Sequence, residues 1–113
     1  MVLAVSEKTF SKEVLESSQP VLINFWAPWC GLCRLINPTL LKFESQSHGE
    51  IKLVSINADE NFKLANVYRL RNLPTLILVD RGRVIYRIEG FHKREELQRI
   101  LDNMTVNLLA TSA

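Results

Sequence analysis

One nearly unbroken apolar run, Val21-Leu22-Ile23-Asn24-Phe25-Trp26, constrains this chain more than any other feature. Apolar residues occupy both alternating sets of positions, so neither face of the segment can meet water. Such a segment is a central strand covered on both sides, as in an α/β layer structure. The rest of the chain alternates strand-like and helix-like stretches in keeping with that. Residues 2–5 read as a short strand. Ser6 reads as the N-cap of a helix to about Ser17, with Phe10, Val14 and Leu15 at helical spacing. A second helix is predicted from about Cys30 to Gln46, ended by Ser47-His48-Gly49 and kinked at Pro38, which removes a backbone hydrogen bond. Residues 51–57 form a strand, 61–68 a short helix and 75–79 a strand. Asp80-Arg81-Gly82-Arg83 is a hairpin turn into a strand over 84–88. Gly90 breaks that strand, and an amphipathic helix over 93–103 turns Leu97, Ile100 and Leu101 inward. Residues 105–113 either extend this helix or fray. The expected fold is one α/β domain over residues 1–113: a mixed sheet of four or five strands with helices on both faces.

Composition narrows the function classes. The 113 residues are 47% hydrophobic and 23% charged, which suits a single packed core. A net charge of +2, with basic residues scattered and densest only at Arg81, Arg83 and Arg87, is a solvated surface and gives no footprint for nucleic acid. No apolar run is long enough to cross a membrane. The first residues lack a basic leader and a cleavage site, so a cytoplasmic chain is expected, and Asn103-Met104-Thr105 is a coincidental match to a glycosylation pattern.

The chain has two cysteines, Cys30 and Cys33, with two residues between them. A disulfide across so short a loop adds little as a staple, which leaves redox chemistry, half of a metal site, or inert thiols. Metal needs about four ligands, and the two histidines, His48 and His92, read as surface residues away from the pair. Redox chemistry is favoured by position. Cys30 opens a helix, where free backbone N–H groups and the macrodipole favour a thiolate. Cys33 lies one turn further in, within bonding reach. Cys30 can therefore attack a disulfide and Cys33 resolve the mixed disulfide. Trp29 offers a flat apolar surface beside the nucleophile, and Gly31 admits a partner's backbone.

The segment Trp26-Ala27-Pro28-Trp29-Cys30-Gly31-Leu32-Cys33 resembles the active-site signature of the thioredoxin family, and the likeness spans about residues 4–103. Phe25, Pro38, Asp59, Leu73-Pro74-Thr75, Gly82 and Gly90 fall in register with it. The resemblance implies the thioredoxin fold, a protein-disulfide reductase active in cell redox homeostasis and electron transport, and an upstream thioredoxin reductase. It further implies no cofactor beyond the cysteine pair, no metal, and a cis Leu73–Pro74 bond that helps Trp29 and Gly90 form a substrate groove.

Three positions depart from the family pattern and are expected to tune the chemistry. Leu32 stands where proline is usual, restoring an N–H and some freedom to the first turn. Asn24 replaces the buried aspartate that handles the proton of the second cysteine, and an amide takes up no proton at physiological pH. Ser55 replaces the lysine that pairs with that aspartate. The last two losses match, since a buried lysine without its carboxylate is costly. Two alternatives stand beside the reductase: an oxidase- or isomerase-poised variant, and a redox-weak adaptor that holds partners through the Trp29, Pro74 and Gly90 groove.

Overall fold

The computed structural model describes residues 2–112, without the side chains of 109–112. Five strands form one sheet in the order β1-β3-β2-β4-β5. They are β1 (Leu3–Ala4), β2 (Val21–Trp26), β3 (Lys52–Asn57), β4 (Thr75–Asp80) and β5 (Arg83–Ile88). β2 is central. It runs parallel to β3, with Asn24 opposite Ser55 and Trp26 opposite Asn57, and antiparallel to β4, with Phe25 opposite Thr75. The helices are α1 (Gly31–Gln46), α2 (Phe62–Val67) and α3 (Arg94–Ser112).

The apolar run behaves as its composition demands. Val21, Ile23 and Phe25 enter one core cluster with Val54, Ile56, Ile77 and Val79, closed by Phe10, Val14 and Leu64. Leu22 points the other way, into a second cluster with Leu76 and Leu78 that α1 covers through Ile36 and Leu40, and α3 through Leu97, Leu101 and Met104. Strand alternation thus splits one sequence segment between two cores. The mixed sheet with helical segments on both faces is the architecture expected of the chain.

Local differences have local causes. Residue 6 does not cap a helix. Ser6 Oγ accepts from the Lys8 N–H at 3.3 Å while the Ser6 N–H donates to Thr9 Oγ1 at 3.0 Å, so the hydroxyls hold a turn instead. A π-helical segment follows at Ser11–Leu15, closed by the Glu16 N–H on the Ser11 carbonyl at 2.9 Å. Phe10 and Val14 are buried as expected, but Leu15 is 43% exposed and lies beside the β4–β5 turn at Gly82. The helix expected over 61–68 is present as α2, preceded by a separate 3-10 turn, Ala58–Glu60, which the Asn57 side chain caps by accepting the Asp59 N–H. α1 carries Pro38 within a continuous helix and ends where His48 and Gly49 take positive φ. Arg81 and Gly82, both at positive φ, make the tight turn whose twist suits a hairpin. Of residues 105–113, those to Ser112 extend α3, which α1 and the sheet anchor through buried Met104; Ala113 lies outside the described residues.

Candidate active site

Several connections converge at one end of the sheet. β2 and β3 end there, since Trp26 pairs with Asn57. β4 begins there, since Thr75 pairs with Phe25, which puts Leu73 and Pro74 beside the chain leaving β2. β5 ends there too, with Ile88 opposite Leu76, which carries Gly90 to the same edge. The carboxyl ends of parallel strands are where α/β sheets present their sites. Leu73–Pro74 is a cis peptide bond, and Gly90 has φ +77° with open space around it.

Cys30 is the N-cap of α1 and has extended backbone, so the first-turn N–H groups of the helix point at its side chain. Its Sγ accepts the Cys33 N–H at 3.1 Å. A thiolate at the same place keeps that donor and the positive helix end, both of which lower the cost of ionisation. Cys30 and Cys33 form a disulfide with Cα atoms 5.3 Å apart, as one helical turn allows. Both are buried in this form, Cys30 at 5% and Cys33 at 3% exposure, so the expected contrast in depth between them is slight. The cause is the cap itself: the Cys30 side chain turns inward to the helix N–H and to its partner.

The surroundings are more accessible. Trp29 is 67% exposed, and its indole N–H donates to Asp59 Oδ2 at 3.0 Å. That bond joins the β2–α1 loop to the β3–α2 connection and fixes the ring. The sequence marked Asp59 only through its register with the family; its bond to Trp29, thirty positions away, was not legible there. Gly31 is exposed, with nothing within 4 Å of where a Cβ would stand. Arg34 donates to the Pro28 carbonyl at 3.2 Å and thereby braces the loop before the cysteines. Pro74 is buried and Leu73 partly so.

The three departures occupy distinct places. Leu32 packs against the α1–α3 core cluster, an apolar anchor for the first turn of α1. Asn24 and Ser55 are neighbours across β2 and β3, and both line a cavity that Cys33 also lines. Asn24 is 4% exposed, and its Oδ1 meets no hydrogen-bond donor among the described residues. Among those residues no three His, Cys, Asp or Glu side chains gather as a metal cluster, and no helix is long and apolar enough to cross a membrane.

Comparison with known proteins agrees with this geometry. The family model for thioredoxin matches residues 1–103. Thioredoxin 1 of Synechococcus elongatus is 41% identical over 99 residues, 88% of this chain and 92% of the relative. Thioredoxin 1 of Nostoc sp. is 40% identical over 98 residues, 87% of this chain and 92% of the relative. The chloroplastic thioredoxin M4 of Arabidopsis thaliana is 38% identical over 102 residues, 90% of this chain and 53% of the relative. With a helix-capping cysteine disulfide-bonded to its partner one turn on, at the loop-bearing edge of this sheet, the chain belongs to the thioredoxin family and is a thiol–disulfide oxidoreductase of the protein-disulfide reductase kind.

Proposed function

We propose that the whole chain acts as one cytoplasmic domain that reduces disulfides in other proteins, with Cys30 as nucleophile and Cys33 as resolving thiol. The Cys30 thiolate attacks a substrate disulfide; a bond forms between Cys30 and one substrate sulfur, and the other leaves as a thiolate. Cys33 then loses its proton and attacks Cys30. The Cys30–Cys33 bond forms, the second substrate sulfur leaves, and two electrons have passed to the substrate. An upstream thioredoxin reductase returns them, and the electrons reside on sulfur throughout without an organic cofactor. The observation that carries this assignment of roles is the Cys33 N–H directed at Cys30 Sγ, because Cys30 alone occupies the cap.

Trp29, Gly31, Leu73, Pro74 and Gly90 form the proposed substrate surface. The exposed indole, the open Gly31 and the shared sheet edge support it. A dithiothreitol-driven assay on a protein disulfide tests the reading: Cys30→Ser is expected to abolish turnover, and Cys33→Ser, reduced, freed of dithiothreitol and then mixed with the protein disulfide, to accumulate a mixed disulfide visible on a non-reducing gel. Equal turnover by wild type and Cys30→Ser would instead identify an adaptor. A redox titration separates reductase from oxidase, since a midpoint as oxidising as about −120 mV belongs to an oxidant.

A further inference from the structure

Arg87 of β5 reads from the sequence as part of a solvated basic surface, yet its guanidinium is engaged on three sides. Nη1 donates to the Tyr68 carbonyl at 2.5 Å, Nη2 to the Arg69 carbonyl at 3.0 Å and Nε to Glu89 Oε2 at 3.2 Å. Strand pairing explains the reach. Arg87 stands opposite Ile77 of β4, which lies in the core cluster that Leu64 of α2 closes, so both side chains leave the sheet on the α2 face.

The two carbonyls need a donor from outside. α2 holds only six residues, Phe62–Val67, too few for a helix to stand on its own hydrogen bonds. Carbonyls at a helix end find no partner within the helix, and a cation there also meets the negative end of its dipole. Arg69, just beyond, has φ +51°, a conformation that a residue with a side chain keeps only when its surroundings hold it. The same connection then runs through exposed Arg71 and Asn72 to Leu73 and Pro74. Its far end is pinned by the Thr75 hydroxyl, which donates to the Asn72 carbonyl at 2.7 Å. Glu89, the third partner of Arg87, directly precedes Gly90. One side chain thus joins the two backbone segments that carry Leu73, Pro74 and Gly90.

We propose that Arg87 is a positioning residue for the protein substrate: it ties the 68–74 connection to the end of β5 and so holds Leu73, Pro74 and Gly90 in their binding arrangement. It touches neither the cysteines nor the substrate. The role rests on the substrate surface put forward above. Without the tie, substrate must order the connection as it binds, and that cost falls on KM and spares kcat. A hydrogen bond from a charged donor shifts a local equilibrium by about tenfold or more, which sets the size of the effect.

The test compares wild type, Arg87→Met, Arg87→Lys and Glu89→Gln on a protein disulfide and on a small aromatic disulfide that reaches Cys30 without covering the 68–74 connection. Arg87→Met is expected to raise KM for the protein disulfide about tenfold, with kcat and turnover of the small disulfide unchanged. Arg87→Lys keeps the charge but places its donors on one atom in place of a planar fork, so it behaves as Arg87→Met. Glu89→Gln leaves both carbonyl bonds and gives a smaller rise. Amide hydrogen exchange reads the tie without activity. The Arg69 and Leu70 N–H groups, bonded to the Asn66 and Ala65 carbonyls at 3.1 and 3.0 Å, exchange about tenfold faster in Arg87→Met, and Leu22 and Leu76 of the central strands do not. An unchanged KM, an equal loss on both disulfides, full recovery in Arg87→Lys, or unaltered exchange at Arg69 and Leu70 each overturns the role. If Arg87→Met does not fold, Arg87→Lys decides on the same measurements. Wild type that turns over neither disulfide refutes the reductase reading, while exchange at the two amides still tells whether Arg87 holds the connection.

Discussion

Asn24 is the departure with the clearest chemistry at the scale of single residues. An amide takes up no proton at physiological pH, and Asn24 Oδ1 meets no donor among the described residues, so in the proposed mechanism Cys33 is resolved without a carboxylate at this position. In Asn24→Asp, alone or with Ser55→Lys, resolution of the mixed disulfide is expected to accelerate about tenfold or more, read by stopped-flow under single-turnover conditions. No gain in either variant counts against the assigned deficit. The carboxyl pays for its burial: desolvation raises its pKa, so Asn24→Asp loses stability relative to wild type as pH rises through the ordinary carboxylate range. Removing the amide acts in the opposite sense. Asn24→Leu is expected to raise unfolding stability by about 1 kcal/mol, because an unsatisfied buried acceptor is exchanged for apolar contact beside a cavity with room for it. A urea titration reads it. Tyr68 gives a separate pH signature. Burial against Phe10 and Phe25 raises its phenol pKa, so the folded state holds the proton more tightly than the unfolded chain. Stability is therefore intact below the unfolded value of 10.0 and falls as pH rises above it, and Tyr68→Phe is expected to flatten that alkaline decline.

Secondary-structure elements place the reactive groups. α1 provides the cap for Cys30, and β2, held between β3 and β4, delivers the chain to it. α3 contributes no site residue, yet it closes the core under α1 through Leu97, Leu101 and Met104. Leu97→Ala is expected to cost about 2–5 kcal/mol in a denaturant titration, since Leu97 is fully buried. Gly90 shows a different constraint. Its positive φ penalises any side chain although nothing crowds the position, so Gly90→Ala is expected to lose about 1 kcal/mol through backbone strain. A loss well beyond that would mean a contact the open surroundings do not contain.

For the molecule as a whole, the disulfide closes a very short loop. Chain-entropy reasoning gives such a loop only about 2 kcal/mol of stabilisation. The dithiol form is therefore expected to remain folded, with its denaturation midpoint lowered accordingly when dithiothreitol is present. That suits a couple that must cycle without unfolding. A dithiol form that loses its fold on reduction would contradict it.

The α/β class, the central strand and the reactive pair were legible because each is written locally. A two-sided apolar run admits only a covered strand, and two cysteines three positions apart at a helix start meet by helical geometry alone. Ser6 misled for an equally local reason: its hydroxyl serves a turn as readily as a cap, and nothing in the sequence ranks the two. Other features belong to the tertiary structure. The bond from Trp29 to Asp59 spans thirty positions. The convergence of Pro74 and Gly90 on the cysteine edge depends on strand order. The pocket beside Asn24 forms only where β2, β3 and α1 meet, since unfilled volume is a property of packed surfaces. Periodicity and spacing act through neighbours along the chain; enclosure and orphaned atoms are decided by neighbours across it.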